Sequence, residues 1–247
     1  MLISIITVCW NDMAGLLRTM QSLQAQNSQN FEWIVVDGGS TDGTKELIES
    51  TQGISRYISE PDNGIYDAMW KGVKIATGEY VWFLNAGDEL DGAGSVFSVR
   101  NKLREADVLL CDARFMVGSS SIAVRRARNF YESIWHSVPA NQQATLYRRS
   151  LLVREYFLHS FSICGDFFLA ASLARKGVKV DYLNSVVAKF YVGGVSTIKI
   201  IPLIRQAYLI QRDVLELSYF RRVISASRRF LACSFTLWQY LRLRRNT

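Results

Sequence analysis

The fold class is decided by residues 31–44, which read FEWIVVDGGSTDGT. The mostly apolar residues 31–36 predict a strand that is buried on both faces, as in a parallel sheet. Asp37 and two glycines follow at once, so the chain turns there before a helix predicted over residues 44–50. This strand–turn–helix unit is typical of α/β sheets, whose ligands bind beyond the carboxyl ends of the strands.

The same alternation continues on both sides of this stretch. Short apolar runs predict the strands, and apolar residues spaced three or four apart predict the helices. The last strand ends in a second polar turn, Asn-Ala-Gly-Asp at residues 85–88. The pattern predicts an open, mostly parallel sheet flanked by helices. The predicted elements are strands over 2–9, 56–59 and 80–84, and helices over 12–26 and 66–76.

The second half of the chain has a less regular pattern. Its last fifty residues contain no glycine and one proline near their start, so they predict helix to the end. We place the boundary of the α/β domain at residue 197 and treat residues 198–247 as a helical tail. The other predicted elements are strands over 108–111, 121–125 and 178–182, helices over 151–158 and 166–175, and a glycine-containing loop over 189–197.

Composition and charge narrow the class of protein. The four cysteines have no short C-x-x-C spacing, which argues against a zinc site or a disulfide framework and fits a reducing compartment. The first ten residues resemble a strand, not a signal peptide. Residues 198–247 carry ten Lys and Arg against two acidic residues, whereas the whole chain has a net charge of +7. The basic surface and the predicted site therefore belong to different segments.

Two carboxylates follow buried strands and are the first candidates for chemistry. Asp37, with the glycines after it, can meet a nucleobase edge or ribose hydroxyls. Asp88 can bind a hard divalent cation that bridges two phosphates. Each cluster, taken alone, is explained equally well by a turn or a helix cap. Their occurrence at successive strand ends, about fifty residues apart, favours a shared binding site.

Seven stretches of the sequence together resemble the family 2 glycosyltransferases. The resemblance is strongest over residues 3–90 and becomes thinner towards residue 197. Among the family's members, the bacterial exopolysaccharide enzymes, such as those that build colanic acid, are the most similar. The stretches occur in the family's order and read ISIITVCWN, FEWIVVDGGSTDGT, SEPDNGIYDAMWKGVKIATGEY, VWFLNAGD, NQQATLYRRSLL, CGDFFLAASLARKG and YVGGVST.

The resemblance implies a GT-A fold and an inverting transfer of sugar from a metal-bound nucleotide-sugar to a glycan acceptor. The nucleotide is expected to be UDP, because the matching aspartate commonly recognises uracil. Asp166 matches the general base, although a helix cap is an alternative for it. Asp88 matches the last carboxylate of the D-x-D element and is the expected ligand of a Mg or Mn cation. The positions matched to donor binding are Thr7, Trp10, Asp37, Asn63 and Lys71.

The sequence departs from the family pattern at three positions. Gly87 replaces the first carboxylate of the metal element, so Asp88 is expected to hold the metal with water and diphosphate. Trp70 stands where Asn is usual, and Gln142 stands where many relatives have His. The two histidines, His136 and His159, match no motif and are expected to be structural.

The basic tail predicts an interfacial helix over residues 220–245. Its apolar residues fall near one helical face, whereas Arg222 and Arg229 fall nearly opposite. No run approaches the ~20 apolar residues that span a bilayer. Packing on the catalytic domain or on a second copy in a homo-oligomer is the alternative to membrane contact, and nucleic acid is not an expected partner. The apolar residues are Phe220, Ile224, Leu231, Phe235 and Trp238.

Three functions compete at this point. The leading one is a glycosyltransferase that acts on a lipid-linked glycan, expected to carry a polyprenyl diphosphate, in surface polysaccharide biosynthesis. It would be cytoplasmic and peripheral on the inner face of the membrane. A sugar nucleotidyltransferase would need a glycine-rich basic loop near residues 7–15, which holds only Gly15. An inactive scaffold is favoured by Gly87 but opposed by Asp88 and Asp166.

Overall fold

The computed structural model describes residues 2–103, 105–158 and 160–244. His159, and Arg245 with the two residues after it, lie outside these ranges. The described residues form a mixed sheet of nine strands with helices packed on both faces. The strands are β1 (Ile3–Cys9), β2 (Phe31–Asp37), β3 (Arg56–Ser59), β4 (Tyr80–Phe83), β5 (Glu89–Leu90), β6 (Val108–Val117), β7 (Ser120–Arg125), β8 (Thr145–Arg148) and β9 (Val180–Tyr191).

Nine α-helices occur in the described ranges, and most of them connect strands. The long helices predicted from apolar spacing are present, each within two residues of its expected start. The helices are α1 (Met13–Gln24), α2 (Thr44–Ser50), α3 (Ile65–Ile75), α4 (Ser95–Lys102), α5 (Phe130–Ser133), α6 (Gly165–Lys176), α7 (Val195–Ile198), α8 (Ile200–Asp213) and α9 (Tyr219–Arg244).

The first half of the chain builds a parallel sheet in the order β3-β2-β1-β4. Every residue of β1 is buried, which explains its continuous apolar sequence. Ile5 lies in one apolar layer with Leu16 of α1. Ile6 lies in the other with Met69 of α3. The two layers hold the carboxyl ends of the central strands in fixed register.

The second half of the sheet is mixed. Strand β8 is antiparallel between β4 and β6, and β9 runs parallel to β6. The far end of β9 also pairs with the short strand β5, where Lys189 is opposite Glu89. Because β5 comes directly after residues 85–88, this pairing brings the end of β9 next to the second polar turn.

Two predictions for the second half are wrong. Residues 151–158 form only separate 3-10 turns at Arg149–Leu151 and Arg154–Tyr156. Leu152 and Phe157 are both buried in one core layer, whereas a regular helix would set residues five apart about 140° from each other. The loop predicted over residues 189–197 is wrong because β9 continues to Tyr191 and α7 follows it.

The tail is helical and packs on the rest of the chain. Ala207 and Ile210 of α8 are buried in the same core layer as Phe167 of α6. Gln206 accepts hydrogen bonds from the backbone N–H groups of Ile163 and Cys164, just before α6. Helix α8 is thus continuous with the core of the α/β domain, and the boundary at residue 197 stays a prediction.

Candidate active site

The two polar turns lie at the carboxyl ends of the parallel strands, on either side of β1. Cys9, at the end of β1, is paired with Asp37 at the end of β2. Ala86 donates its backbone N–H to the carbonyl of Val8 at 3.0 Å, so residues 85–88 extend along the other side of β1. The expectation that Asp37 and Asp88 share one edge therefore follows from strand order.

Asp37 is fully buried and held by its own turn. Its Oδ2 accepts from the backbone N–H of Ser40 at 3.1 Å and from the hydroxyl of Ser59, on β3, at 2.8 Å. The hydroxyl of Ser40 also donates to Oδ1. Gly39 takes a φ of +81°, which a residue with a side chain adopts only with strain. The carboxylate is rigid as a result, and it faces a surface built by residues 38–40.

Trp10 forms an open wall beside this turn. Its indole is 68% exposed. A Cβ placed on Gly38 would lie 3.4 Å from the Trp10 ring and 2.5 Å from the carboxylate of Asp62. Glycine at position 38 thus lets the Trp10 ring and the Asp62 carboxylate approach the backbone closely, and a flat ring can stack on the exposed indole.

The other three predicted donor positions differ in their surroundings. Thr7 is buried, and its hydroxyl accepts from Trp33 Nε1 at 3.0 Å. Asn63 is exposed at the start of α3, where its backbone N–H donates to Asp67. The ammonium group of Lys71 lies 2.8 Å from a carboxylate oxygen of Glu60. Thr7 therefore lies inside the sheet with its hydroxyl bonded to Trp33, whereas Asn63 and Lys71 lie around the 60–64 turn.

Asp88 is nearly buried and held from two sides. Its Oδ2 accepts from Gln143 Nε2 at 2.7 Å, and its Oδ1 from the backbone N–H of Tyr191 at 3.1 Å. Thr19 of α1 donates to the Asp88 carbonyl at 2.7 Å, and Arg18 to the Gly87 carbonyl at 3.2 Å. Burial raises the pKa of Asp88 to about 7. A positive charge placed next to this carboxylate would relieve that cost.

The surroundings of Asp88 fit a hard cation only in part. Within the described residues, no three His, Cys, Asp or Glu side chains form a metal cluster. The side-chain oxygen of Asn85 is buried without a hydrogen-bond partner, which leaves one oxygen donor free in the same turn. A carboxylate oxygen of Asp12 lies 3.7 Å from the place where a Cβ on Gly87 would stand. The protein offers few oxygen ligands, so most of a cation's coordination would come from the diphosphate and water.

Asp166 lies in the first turn of α6. Its Oδ1 accepts from the backbone N–H of Phe167 at 2.7 Å, whereas the N-cap position of α6 is Cys164, which makes no side-chain capping bond. Burial raises the pKa of Asp166, and the guanidinium groups of Arg125 and Arg229 oppose that rise. The second carboxylate oxygen receives no hydrogen bond from the described residues.

Tyr66 fixes the start of α6. Its hydroxyl accepts from the backbone N–H of Gly165 at 2.9 Å and donates to the carbonyl of Ile163 at 3.1 Å. A Cβ on Gly165 would come within 2.5 Å of the Tyr66 ring, so only glycine fits there. Tyr66 is in the first turn of α3, directly after Asn63, and joins the donor segment to the turn that carries Asp166.

A chain of amides connects the two halves of the site. Asn141 donates to the side-chain oxygen of Gln143 at 2.7 Å, and Gln143 in turn donates to Asp88. Asn141 and Asp166 line the same cavity, and Gln142 lines a smaller cavity with Asp166. Residues 141–143 thus extend between the base candidate and the metal candidate.

Sequence reasoning missed several of these residues. Gln143 is next to the flagged Gln142, but its contact with Asp88 needs the 3-10 turn at Gln142–Ala144. Tyr66 lies in the stretch of residues 59–80 that resembles the family, but its bond to the turn before Asp166 depends on the fold. Nothing in the local pattern indicates that Arg125 or Arg229, both more than forty positions from Asp166 in the chain, lies near it.

The family profile described as "Glycosyl transferase family 2" matches residues 4–173. The chain belongs to glycosyl transferase family 2. A "PGL/p-HBAD biosynthesis glycosyltransferase" of Mycobacterium bovis is 31% identical, and the match covers 76% of this chain and 75% of that protein. An "uncharacterized glycosyltransferase" of Mycobacterium tuberculosis is 41% identical over 92 residues, and there the match spans 35% of the relative's length.

Solved structures confirm the GT-A fold of this family member. S. aureus TarS in complex with UDP-GlcNAc has a TM-score of 0.65 at 17% identity, over 93% of this chain and 72% of that one. A mannosyltransferase of Pyrobaculum calidifontis in complex with GDP-Man and Mn²⁺ has a TM-score of 0.67 at 18% identity, over 97% of this chain and 72% of that one. At these identities the likeness shows the fold alone.

Proposed function

We propose that this protein is an inverting glycosyltransferase that uses a nucleotide-sugar and transfers the sugar to a hydroxyl of a glycan acceptor. The observation that carries the proposal is the placement of Asp37 and Asp88 in the turns after β2 and β4, on either side of β1. Asp166 lines a cavity with Asn141, whose amide chain reaches Asp88. Family membership supports the same reaction class.

The donor base is assigned to the exposed ring of Trp10, next to the turn that holds the buried carboxylate of Asp37. A pyrimidine would stack on that ring, and the turn held by Asp37 would meet its edge. TarS is titled as a complex with UDP-GlcNAc, whereas the mannosyltransferase is titled with GDP-Man. We favour UDP because Asp37 matches the family's aspartate that commonly recognises uracil.

A divalent cation is assigned to Asp88, with Asn85 Oδ1 as a second protein oxygen. When bound, such a cation neutralises charge on the departing diphosphate. Asp88 is held in place by Gln143 and Tyr191, so the protein orients this carboxylate before any ligand binds.

Asp166 is assigned as the general base. Its carboxylate would take the proton of the acceptor hydroxyl as that oxygen attacks the anomeric carbon. The carbon–oxygen bond to the diphosphate breaks on the opposite face, and the electron pair leaves with the nucleoside diphosphate. One displacement inverts the anomeric centre. The raised pKa of Asp166 makes it a stronger base than an exposed aspartate.

The acceptor is proposed to be lipid-linked and reached at an anionic membrane surface. The apolar side chains predicted on one face of α9 are all exposed, and Phe220 and Leu231 reach 78% and 68%. On the opposite face, Arg229 lies over the Phe167 ring at 4.4 Å and Arg222 over the Tyr208 ring at 4.7 Å. In the described ranges no helix combines the length and hydropathy that crossing a bilayer requires. The exposed apolar face supports attachment to the membrane surface.

The proposal is tested by measuring transfer and binding with a panel of UDP- and GDP-sugars, with Mn²⁺, with Mg²⁺ and with EDTA. Asp166→Asn keeps the shape and removes the base, so turnover should fall roughly 10²- to 10⁴-fold while donor binding persists. Asp88→Ala should remove the part of donor binding that depends on the cation.

Asp213→Asn is the matched control, because Asp213 is an exposed aspartate paired with Arg212 at the end of α8. It should leave turnover and donor binding unchanged. Near-normal turnover in a folded Asp166→Asn variant would reduce Asp166 to a helix cap. Cation dependence that survives in Asp88→Ala would place the metal elsewhere.

A further inference from the structure

Asp166 lines a large cavity. Its volume is about 790 Å³, which is within the range of small-molecule sites. The walls come from the end of β7 with the segment after it, the start of α6, and one face of α9. Five arginines line it: Arg125, Arg126, Arg128, Arg228 and Arg229.

The five arginines of this cavity outnumber the carboxylates in its walls, where Asp166 is the one acidic residue. In the described part of the chain, none of the five guanidinium groups forms an ion pair with a carboxylate. Arg125 donates to the Val138 carbonyl at 2.7 Å, and Arg128 donates to the same carbonyl at 3.1 Å. These contacts orient the guanidinium groups without neutralising them.

Arg229 is the strongest sign of a missing partner. Its side chain is half-buried, and its Nε and Nη2 are buried without a hydrogen-bond partner among the described residues. A buried charged donor without an acceptor is unfavourable, so native proteins rarely leave one unmatched. The desolvation lowers the pKa of Arg229, and that of Arg125 to about 10.

The neighbouring histidine adds no charge of its own at neutral pH. Burial and the surrounding arginines lower the pKa of His136 to about 4. Asp166 is the one carboxylate among the residues that line the cavity, and it lies at the end nearest the sheet edge. The ligand that fits is therefore strongly anionic and has a neutral polar part that reaches Asp166.

We propose that the arginine cavity is the acceptor subsite and that it binds a phosphate or diphosphate group of the acceptor, next to the hydroxyl that Asp166 deprotonates. This inference rests on the proposed function, because it takes Asp166 as the base. Guanidinium groups match phosphate oxygens in pairs, and several of them suit a diphosphate better than a single carboxylate. The cavity exceeds the volume of a diphosphate and leaves space for a sugar.

Two kinds of acceptor carry such a phosphate group, a prenyl diphosphate and a soluble sugar phosphate. Helix α9 lines the cavity with Arg228 and Arg229, and the next two turns of the same helix expose Phe235 and Trp238. A prenyl chain could continue from the cavity to that apolar face, whereas a sugar phosphate would use the cavity alone.

The test measures binding of three probes to the full chain by calorimetry: farnesyl diphosphate, glucose 1-phosphate and inorganic pyrophosphate. Saturating UDP and Mn²⁺ are present throughout, so that the donor site is occupied. In the variants Arg229→Gln and Arg126→Gln, the dissociation constant should rise roughly 10- to 100-fold, as expected for the loss of a charge-assisted hydrogen bond. Arg126 is exposed, so its replacement leaves the fold intact.

Arg221→Gln is the control, because Arg221 is an exposed residue of α9 outside the cavity. It removes the same charge from the same helix and should leave the affinities unchanged. Equal affinities in wild type, Arg126→Gln and Arg229→Gln would overturn the inference, as would equal losses in all three variants. A prenyl source predicts that farnesyl diphosphate binds more tightly than pyrophosphate, and a sugar-phosphate source predicts the same for glucose 1-phosphate.

The outcome is separate from that of the proposed function. If wild type fails to bind UDP or any nucleotide-sugar but binds the probes through Arg126 and Arg229, the glycosyltransferase proposal fails and the anion site remains. If it transfers sugar yet no probe binds, the acceptor subsite is wrong and the proposed function stands.

Discussion

The hydroxyl of Tyr66 is predicted to hold the turn that carries Asp166. In Tyr66→Phe, the buried N–H of Gly165 loses its 2.9 Å partner, and the Ile163 carbonyl loses its 3.1 Å donor. An unpaired buried backbone group costs about 1–3 kcal/mol. Ile163 is partly exposed and can bind water instead, so we expect the free energy of unfolding to fall by about 1–3 kcal/mol in total. For a chain of this size that lowers Tm by roughly 2–12 °C.

The same variant should also affect catalysis. The start of α6 becomes looser, so Asp166 is less often placed to take the acceptor proton. A misplacement on the order of 1 Å can cost roughly 100-fold in rate, and we expect kcat to fall roughly 10- to 100-fold. The KM for the donor should change less than kcat, because the hydrogen bonds that the variant loses are those to Ile163 and Gly165. Activity is measured as release of nucleoside diphosphate at saturating acceptor.

Tyr57→Phe is the control for this prediction. Tyr57 is an exposed residue of β3, and its replacement should change stability by less than about 0.5 kcal/mol. If Tyr66→Phe and Tyr57→Phe unfold at the same temperature, the hydroxyl does not hold α6. If Tyr66→Phe raises the KM for the donor and leaves kcat unchanged, its role belongs to the donor segment.

Three further predictions concern the base, the tail and the membrane. Because burial raises the pKa of Asp166, the acidic limb of the kcat/KM profile should lie at a pH above the ordinary Asp pKa of about 3.9, with kcat/KM decreasing as the pH falls. An acidic limb at or below that pH would contradict the assignment. Ile210→Ala should lower the free energy of unfolding in urea by about 2–5 kcal/mol, whereas replacement of the exposed Ile201 by Ala should change it by less than about 0.5 kcal/mol. Equal effects of the two variants would show that α8 does not belong to the core. The full chain should co-sediment with anionic vesicles more than with neutral ones. High salt should weaken its binding to anionic vesicles, and so should the Leu231→Ser, Phe235→Ser double variant. If the full chain binds neither kind of vesicle, α9 is a packing or dimer helix instead.

The first half of the fold could be predicted because its information is local. Each strand is a short apolar run, and each is followed by its own turn and helix, so the order along the chain places Asp37 and Asp88 at one edge. The end of each strand can be predicted from neighbouring residues alone, without any contact between residues that are distant in the chain. The same local pattern explains why the helix of Asp166 was predicted within one residue of its start.

The second half could not be predicted in the same way because distant pairings shape it. Lys189 is opposite Glu89, a hundred positions earlier, and this pairing extends β9 through residues whose glycine-rich surroundings indicate a loop. The partners that orient Asp88 come from β9 and from the turn at residue 143, so they depend on the same long-range register. The arginine cavity likewise needs β7 and α9 to meet.

The amide chain from Asn141 through Gln143 to Asp88 has a consequence for engineering. One short stretch of backbone positions parts of both the donor side and the acceptor side. An insertion or deletion there would shift both together, so a change of donor preference made in this stretch would also disturb acceptor use. Libraries for new specificities should keep residues 141–143 constant, vary the open wall around Trp10 for the donor, and vary the arginines separately for the acceptor.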